Sequence, residues 1–255
     1  MKAVVLAAGR GHRLGPYTAD RPKCLVEVAG GTLLSRQIAA LRAAGASELA
    51  IVSGWQGKSL EGRGLTVFHN TRWAQSTMVE SLRCAAQWLS STEVLVSYGD
   101  IAYTLDAARR LAKAEGALAI AYDPHWLSLW ERRFTDPFDD AERFLLNADG
   151  SVAEIGGRAN GPADATGQYM GLLKFTPHGW AELERVRSEA PVEVAATLDM
   201  TALLNRVIQA GRVPVVAVPA PGPWCEFDHP HDVSVGTAIV RRIDELRRIS
   251  AGRQM

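Results

Sequence analysis

Four residues near the start of the chain have the types and spacing of a phosphate-binding loop. Gly9 and Gly11 follow a short apolar run, Arg13 comes two residues later, and Lys23 follows Pro22. Glycines let the backbone approach phosphate oxygens and point its N–H groups at them. Because Arg13 and Lys23 add the charge that N–H dipoles lack, the stretch predicts an anion site at the carboxyl end of a buried strand.

Two well-known glycine motifs do not account for this stretch. Leu14 stands where a dinucleotide-binding fingerprint needs its third glycine. The Gly-Lys-Ser triplet at 57–59 resembles the end of a P-loop, but Val52 occupies the position of that motif's first glycine. We therefore interpret 57–59 as a surface turn.

Three carboxylates later in the chain have the chemistry of a metal site. Asp100 ends an apolar run, where a bare carboxylate is costly unless it binds a cation, and Mg²⁺ prefers such hard oxygen ligands. Glu226 and Asp228 alternate along a stretch that, if extended, puts both on one face. Capping of the next helix by Asp100 is the alternative. A zinc site at His229 and His231 is disfavoured, because their i, i+2 spacing suits a helix-borne site poorly.

The composition is that of an ordinary globular protein. The 255 residues suffice for one domain with a full core, and 47% of them are apolar and 22% charged. Lys plus Arg and Asp plus Glu number 28 each, so no bulk charge favours nucleic acid or an anionic membrane as a partner. The oligomeric state is left open, a homodimer included.

The cysteines and the N-terminal residues favour a cytoplasmic protein. Cys24, Cys84 and Cys225 are odd in number, far apart and without a CxxC, so neither a disulfide framework nor structural zinc is expected. The apolar run after Lys2 is too short for a secretory signal. No segment approaches the roughly 20 apolar residues that span a bilayer.

Strands and helices alternate in the first half of the chain. The predicted strands are 2–8, 25–28, 49–52, 65–68, 94–100 and 117–122, and the predicted helices are 33–44, 76–89 and 104–114. For the second of these helices, a capping box of Thr77 and Glu80 is expected. The alternation predicts a three-layer α/β/α, Rossmann-like fold with a mostly parallel central sheet and ligands at its carboxyl edge.

The second half changes character after residue 122. Residues 123–140 are rich in Trp, Arg and Asp, and 144–155 have a hairpin pattern with Asp-Gly at the turn. The further predicted elements are strands at 167–175 and 213–218 and helices at 179–189, 199–210 and 233–249. Since no repeat or low-complexity linker is present, we expect a single domain, 1–255, with a small inserted acceptor-binding lobe at about 123–175.

The motifs of the opening loop resemble the signature of nucleotidyltransferases that activate sugar phosphates and similar small phosphates. The stretches that carry the resemblance are Leu-Ala-Ala-Gly-Arg-Gly-His-Arg-Leu at 6–14 and Arg-Pro-Lys-Cys-Leu at 21–25. Tyr-Gly-Asp-Ile at 98–101, the Trp-rich 126–142 and Gly-Gln-Tyr-Met-Gly at 167–171 make the chain most similar to the phosphocholine and phosphonate cytidylyltransferases. The resemblance covers nearly the whole chain. It implies Mg²⁺-dependent transfer of CMP from CTP to a small phosphonate or phosphate, with release of pyrophosphate.

The resemblance also implies roles for individual residues. Arg13 is expected to hold the β- and γ-phosphates, and Lys23 to bridge the α-phosphate and the acceptor phosphate. Asp228 matches the second metal carboxylate beside Asp100, with Glu226 as an alternative or accessory ligand. The other implied nucleotide contacts are Leu6, Ala7, Ala8, Gly9, Gly11, Gln75, Ser76, Thr77, Tyr98 and Gly99.

The acceptor site is predicted within the lobe. The candidate residues are Asp123, Trp126, Trp130, Arg132, Arg133, Gln168 and Tyr169. The aromatic residues and the aspartate suit a box for an ammonium group, whereas the two arginines suit a phosphonate or a carboxylate. Plain packing is the alternative for the tryptophans.

Two other functions stay open. A sugar-1-phosphate uridylyl- or thymidylyltransferase is one, although the chain is short and lacks an obvious sugar-binding acidic-glycine strand after residue 150. A non-catalytic nucleotide-binding regulatory domain is the other. The joint presence of Arg13, Lys23, Asp100 and Asp228 argues against it, because a binder needs no two-carboxylate metal site.

Overall fold

The computed structural model describes residues 1–252 except for the side chain of Ala251, so 253–255 of the predicted domain lie outside the described residues. The strands are β1 (Lys2–Ala7), β2 (Glu27–Val28), β3 (Gly31–Thr32), β4 (Glu48–Ser53), β5 (Thr66–His69), β6 (Val94–Tyr98), β7 (Ile101–Ala102), β8 (Leu118–Asp123), β9 (Glu142–Leu146), β10 (Val152–Arg158), β11 (Gln168–Phe175), β12 (Val215–Pro219) and β13 (Cys225–Glu226). The α-helices are α1 (Leu33–Ala43), α2 (Met78–Arg83), α3 (Ala86–Leu89), α4 (Leu105–Ala112), α5 (Leu127–Arg133), α6 (Pro177–Glu189), α7 (Val192–Ala195), α8 (Met200–Ala210) and α9 (Pro230–Gly252). Within this range no helix is both long and apolar enough to cross a bilayer.

A central sheet carries the fold, with strand order β12-β8-β11-β6-β1-β4-β5. β1 pairs in parallel with β4 and β6, β4 with β5, and β8 with β12. β11 alone among these strands runs antiparallel, between β6 and β8. The predicted mostly parallel sheet is confirmed.

The two faces of the sheet are covered by different helices. Ala3 and Val5 of β1 pack in one core with residues of α1, α4 and α9. Val4 and Leu6 face the other way and pack with residues of α2, α6 and α8. Alternate residues of a strand point to opposite faces, so a strand covered on both sides has a continuous apolar run, as β1 has at 3–7. The structure therefore has the predicted three layers.

Side-chain contacts fix the ends of the helices near the site. The Thr32 hydroxyl accepts a hydrogen bond from the Ser35 N–H at the start of α1, and Gly45, with φ of 97°, follows its end. A buried ion pair of 2.7 Å between Arg36 and Asp244 holds α9 against α1. This pair anchors the long helix α9, which begins two residues after Asp228.

The predicted helix at 76–89 is interrupted. α2 ends at Arg83 and α3 begins at Ala86. Thr77 precedes α2 without a capping side-chain hydrogen bond among the described residues, and Glu80 pairs with Arg83 and Arg187 instead. The expected capping box is therefore wrong, because ion pairs within α2 and with α6 draw the Glu80 carboxylate away.

Residues 123–175 contribute to both the sheet and its edge. The predicted hairpin is present as β9 and β10, whereas α5 lies in a segment for which no helix was predicted. The strand predicted at 167–175 is β11, which lies inside the central sheet. The acceptor-binding lobe remains a prediction.

Candidate active site

Three carboxylates converge at the carboxyl edge of the sheet. Asp100 lies two residues after β6, and β7 then pairs with β13, which brings Glu226 and Asp228 beside it. One oxygen from each carboxylate lies within 4.8 Å of the others. Oxygen ligands with this spacing can hold a divalent cation.

Asp100 has a buried oxygen that lacks a partner. Its Oδ2 accepts a hydrogen bond of 3.0 Å from Lys23, but in the described part of the chain Oδ1 has no hydrogen-bond donor. Leaving such an atom unsatisfied costs about 1–3 kcal/mol, which a bound cation would relieve. Thr104, not Asp100, caps the following helix α4, so the capping alternative is wrong.

Lys23 and Arg13 bring positive charge to these carboxylates. The Lys23 ammonium donates to both Asp100 and Asp228, and the Arg13 guanidinium donates to Asp228 at 2.8 Å. Burial alone would lower the pKa of Lys23, but the charges of Asp100 and Asp228 raise it above its ordinary value. Lys23 is therefore a permanent cation. The Arg13 side chain is 60% exposed and open to a ligand.

Two glycines of the predicted nucleotide site permit close contacts. Gly11 has φ of +65°, and a Cβ there would lie 2.7 Å from Cε of Lys23. A Cβ on Gly99 would lie 2.6 Å from the Leu6 carbonyl oxygen. Larger residues would therefore displace Lys23 at the first position and force β1 from the 99–100 turn at the second.

The carboxylates differ in their affinity for protons. Burial raises the pKa of Glu226 well above its usual range, and the charges of Asp228 and Asp100 add to the rise. Burial also acts to raise the pKa of Asp228, but Lys23 and Arg13 outweigh it and lower the value. Glu226 thus holds a proton more tightly than Asp228 does.

Arg133 supports the site from behind. Its guanidinium is fully buried and donates to Asp232 at 2.9 Å and to Glu226 at 3.5 Å. Asp232 in turn accepts hydrogen bonds from the N–H groups of Asp228 and His229, at 2.9 and 2.8 Å. This chain of contacts orients the loop that carries two of the three carboxylates.

A cavity of about 370 Å³ opens beside the carboxylates. The predicted residues that line it from the sheet edge are Arg13, Lys23, Tyr98, Asp100, Glu226 and Asp228. Trp130, Gln168 and Tyr169 line it from the segment 123–175. The tertiary structure therefore brings together residues from both halves of the chain.

A comparison with known families decides which family builds such a site. Residues 3–152 match the MobA-like NTP transferase domain. The chain belongs to this family. It is a nucleotidyltransferase, as its sequence motifs predict.

Individual relatives indicate the branch of the family to which the chain belongs. This transferase is similar to the CTP:phosphoglutamine cytidylyltransferase of Campylobacter jejuni. The two sequences are 32% identical over 251 residues, which cover 92% of this chain and 98% of the relative. This chain is 28% identical over 104 residues, 39% of this chain and 42% of the relative, to the 2-aminoethylphosphonate cytidylyltransferase of Lancefieldella rimae. The CTP:phosphocholine cytidylyltransferase of Streptococcus pneumoniae has the same fold, with a TM-score of 0.71 at 20% identity over 94% of this chain and 98% of that one. The predicted branch is confirmed.

The opening loop of the transferase lies against the end of β4. Leu6, Ala7 and Ala8 are buried, and the Ala8 carbonyl accepts a hydrogen bond of 2.8 Å from the Trp55 N–H. Gly9 is exposed, and a Cβ there would meet open space. The loop thus leaves the buried sheet at Gly9, where a ligand can reach its backbone.

The second group of predicted nucleotide contacts borders α2. Gln75 is exposed, and the Ser76 hydroxyl accepts a hydrogen bond of 2.9 Å from the buried Asn70 amide. The Thr77 hydroxyl is buried and, among residues 1–252, has no partner. Met78 follows and lines the cavity. Among the three predicted contacts Gln75, Ser76 and Thr77, the buried hydroxyl of Thr77 is therefore the group that most clearly lacks a hydrogen-bond partner.

The four residues of the predicted aromatic box do not meet in the cavity. Asp123 accepts hydrogen bonds from the Trp224 indole and the His125 N–H, and the Trp126 indole donates to the Ala165 carbonyl at 3.1 Å. Neither Asp123 nor Trp126 lines the cavity. Only Trp130 and Tyr169 of the box do.

The remaining acceptor candidates have other surroundings. Arg132 is exposed on α5, outside the cavity, and Arg133 is buried behind it. The Gln168 side chain bonds both main-chain groups of Glu142, at 3.0 and 2.6 Å, and so joins β11 to β9. These placements favour supporting roles over direct contact with an acceptor.

Sequence reasoning missed a second acidic group of the cavity. Asp140, Glu142 and Asp199 all line it. The Thr201 hydroxyl lies 3.2 Å from the Glu142 carboxylate and 3.3 Å from that of Asp199. Burial raises the pKa of Glu142 to about 7, opposed by the Thr201 hydrogen bond and assisted by Asp199 and Asp140. The feature of the sequence that could have indicated this group is Glu142, an acidic residue at the start of a half-buried strand.

Proposed function

We propose that the chain is a Mg²⁺-dependent cytidylyltransferase that transfers CMP from CTP to a small phosphate or phosphonate and releases pyrophosphate. The cytidylyltransferase that is 32% identical over 92% of this chain supports CTP as the donor. The observation that carries the proposal is the buried Oδ1 of Asp100, unpartnered within the described residues, beside Glu226 and Asp228. A domain that only binds nucleotides has no need of a metal site built from several carboxylates.

The reaction requires no protein nucleophile. An oxygen of the acceptor phosphate or phosphonate attacks the α-phosphorus of CTP. A new P–O bond forms while the bond between the α-phosphorus and the oxygen bridging to the β-phosphate breaks, and pyrophosphate leaves with that electron pair. The task of the protein is to position the two reactants and to balance the negative charge of the phosphates.

The carboxylate cluster suits Mg²⁺ in its chemistry. Asp100, Glu226 and Asp228 offer hard oxygen ligands, which Mg²⁺ prefers together with phosphate oxygens and water. When bound, Mg²⁺ neutralises charge on the phosphates of the donor. Lys23 and Arg13 contact Asp228, which supports a shared role of these two cations in holding phosphates next to the cluster.

The size of the cavity is compatible with a small acceptor. A volume of about 370 Å³ suits a short-chain phosphonate or phosphate monoester. Phosphocholine, 2-aminoethylphosphonate and hydroxyalkylphosphonates are the candidates.

A pyrophosphate-release panel tests the function. The four NTPs, each with Mg²⁺, are combined with phosphocholine, 2-aminoethylphosphonate, a hydroxyalkylphosphonate and sugar-1-phosphates. We expect release with CTP and at least one of the small phosphates or phosphonates. Release confined to UTP or dTTP with a sugar-1-phosphate would refute the proposal in favour of the sugar-nucleotide alternative.

A pair of aspartate variants tests the metal assignment. Asp100→Asn removes a charge from the cluster and should lower turnover at least 100-fold while changing its dependence on Mg²⁺. Asp106→Asn, at an exposed position of α4 that pairs with Arg110, is the matched control and should behave like the native enzyme. An unchanged Mg²⁺ titration in Asp100→Asn would exclude that residue as a ligand.

A further inference from the structure

The cavity contains more negative charge than the metal cluster accounts for. Its lining includes only two basic residues, Arg13 and Lys23, and both pair with the carboxylates of the metal cluster. Asp140, Glu142 and Asp199 share the same cavity. Burial raises the pKa of Asp140 and the charges of Arg133 and Arg13 oppose the rise, whereas no basic residue acts on the pKa of Glu142 in this way. Glu142 is half-buried, whereas Asp199 is exposed. A partly buried carboxylate without a counter-charge is costly, so Glu142 favours a cationic ligand beside it.

The second acidic group is unsuited to a metal ion. In the described residues, the only cluster whose carboxylate, imidazole or thiol ligand atoms converge within 4.8 Å is that of Asp100, Glu226 and Asp228. Thr201 can donate its one hydroxyl proton to Glu142 or to Asp199. Asp199 also accepts a hydrogen bond of 2.7 Å from the Ala202 N–H, so Glu142 is the carboxylate that depends more on a further donor. Separated carboxylates that need hydrogen-bond donors suit an organic ammonium group.

Independent orphan groups in the same cavity also point to a ligand. The Trp130 indole N–H and the Tyr169 hydroxyl are buried without hydrogen-bond partners in the part of the chain that the structure describes. Trp130 is 3% exposed, and both residues line the cavity. An indole N–H is only a donor, so it calls for an oxygen of the ligand. An acceptor with both an oxyanion and an ammonium group meets both needs.

The aromatic side chains do not form a cage for a quaternary ammonium. Tyr98 and Tyr169 pack edge to face at 5.7 Å, and Trp130 packs against Trp224 at 5.8 Å. Arg133 lies over the Trp130 ring at 4.9 Å from its centroid. A cage needs several ring faces directed at one cation, whereas these rings are directed at each other.

We propose that Glu142 and Asp199, assisted by Asp140, bind a protonated amine on the acceptor, and that Glu142 makes the enzyme prefer an N–H-bearing ammonium to a trimethylated one. The inference rests on the proposed function only in naming this ligand as the acceptor. A trimethylammonium group has no N–H to donate and holds its charge farther from the carboxylate oxygens. An uncharged hydroxyl group in the same place leaves the carboxylates without a counter-ion.

The titration of Glu142 adds a measurable signature. Burial raises the pKa of Glu142 to about 7, with Asp199 and Asp140 facing it and Thr201 donating to it. An ammonium bound to its carboxylate favours the ionised form. Binding at pH 7 should therefore release about half a proton.

Calorimetry on the native chain with Mg²⁺ and without CTP tests the subsite. The probes are 2-aminoethylphosphonate, its N,N,N-trimethyl analogue and 2-hydroxyethylphosphonate. We expect the primary amine to bind at least ten-fold more tightly than either other probe, because a hydrogen bond between charged groups commonly changes affinity by that factor. Repeating the titration in buffers of different ionisation enthalpy should reveal the released proton.

Two variants test whether Glu142 causes the preference for the primary amine. Glu142→Gln should bring the three dissociation constants within about three-fold of one another and lower the proton release of the primary amine by about half a proton relative to the native chain. Glu154→Gln, which alters a carboxylate of the same hairpin paired with Arg143 outside the cavity, should bind as the native chain does. Equal or tighter native binding of the trimethyl probe would overturn the proposal, as would no binding of the amine at millimolar concentration or an unchanged preference in Glu142→Gln.

The outcome is separable from that of the proposed function. The native binding series needs neither turnover nor a folded variant. If the pyrophosphate panel fails while the amine preference holds, the cytidylyltransferase proposal falls and the ammonium subsite remains. If pyrophosphate is released from CTP without any amine preference, the subsite falls and the transferase remains.

Discussion

Removal of the Lys23 charge should strengthen the binding of a divalent cation to the carboxylate cluster. The Lys23 ammonium lies 3.0 Å from Asp100 Oδ2 and also donates to Asp228. It therefore occupies the space between two of the three proposed metal ligands. A metal ion that binds before the nucleotide must displace this ammonium. Lys23→Met removes the charge and keeps an unbranched side chain over Gly11.

The contacts of Lys23 set the size of the effect. Hydrogen bonds to charged groups contribute about 1.5–3 kcal/mol each, and the incoming ion must break at least one of the two. Since about 1.4 kcal/mol corresponds to a ten-fold change in affinity, Mn²⁺ should bind Lys23→Met about 10- to 100-fold more tightly. The same variant should lose about 3 kcal/mol of stability in EDTA, because buried Asp228 is left with less compensating charge.

Electron paramagnetic resonance of free Mn²⁺, measured without nucleotide, gives the dissociation constant. Urea unfolding in EDTA and in excess Mn²⁺ then shows whether the metal restores the stability that Lys23→Met loses. Lys58→Met, at an exposed lysine in the turn Gly57–Leu60, is the matched control. Weaker or equal Mn²⁺ binding by Lys23→Met would refute the view that the ammonium and the metal compete for one position.

Two further variants separate support of the site from contact with ligands. Arg133→Met should lower the free energy of unfolding by about 3–5 kcal/mol in urea, because it leaves the buried carboxylate of Asp232 unpaired, whereas Arg132→Met at the exposed neighbouring position should change it by no more than about 0.5 kcal/mol. Equal stability of both variants would contradict the supporting role. Glu142 has a folded-state pKa of about 7, above its usual 4.5, so the stability linked to its protonation is present below about pH 4.5 and is lost as the pH rises through 7. Glu142→Gln should therefore gain about 1–3 kcal/mol relative to the native chain between pH 5 and pH 8 in chemical denaturation, and a pH-independent difference would show that Glu142 titrates normally.

Local sequence patterns were sufficient to predict the scaffold and one half of the site. The apolar run of β1, the spacing of α1 and the glycines of the opening loop are visible within a dozen residues, because strand burial, helix periodicity and turns depend on near neighbours. Asp100 was recognisable for a similar reason, since a carboxylate at the end of an apolar strand is an anomaly on its own. Arg13 and Lys23 were recognisable from their spacing to the glycines, and the resemblance to nucleotidyltransferases added the phosphates that each is expected to hold.

The other half of the site depends on contacts between distant parts of the chain. No local pattern indicates that β11 inserts antiparallel between β6 and β8, which makes Tyr169 part of the cavity wall. Arg133 has the appearance of a ligand-binding arginine until its partner Asp232, 99 residues away, is known.

The acidic group of Glu142 and Asp199 shows the same limit most clearly. These residues are 57 positions apart in the sequence, and each has an ordinary local explanation, at the start of β9 and as the cap of α8. Only folding places both carboxylates beside one hydroxyl, that of Thr201, at the same cavity. The opening loop of the sequence thus indicates that a phosphate is bound. The part of the acceptor that we propose the enzyme recognises depends on charges that lie close together only in the folded chain.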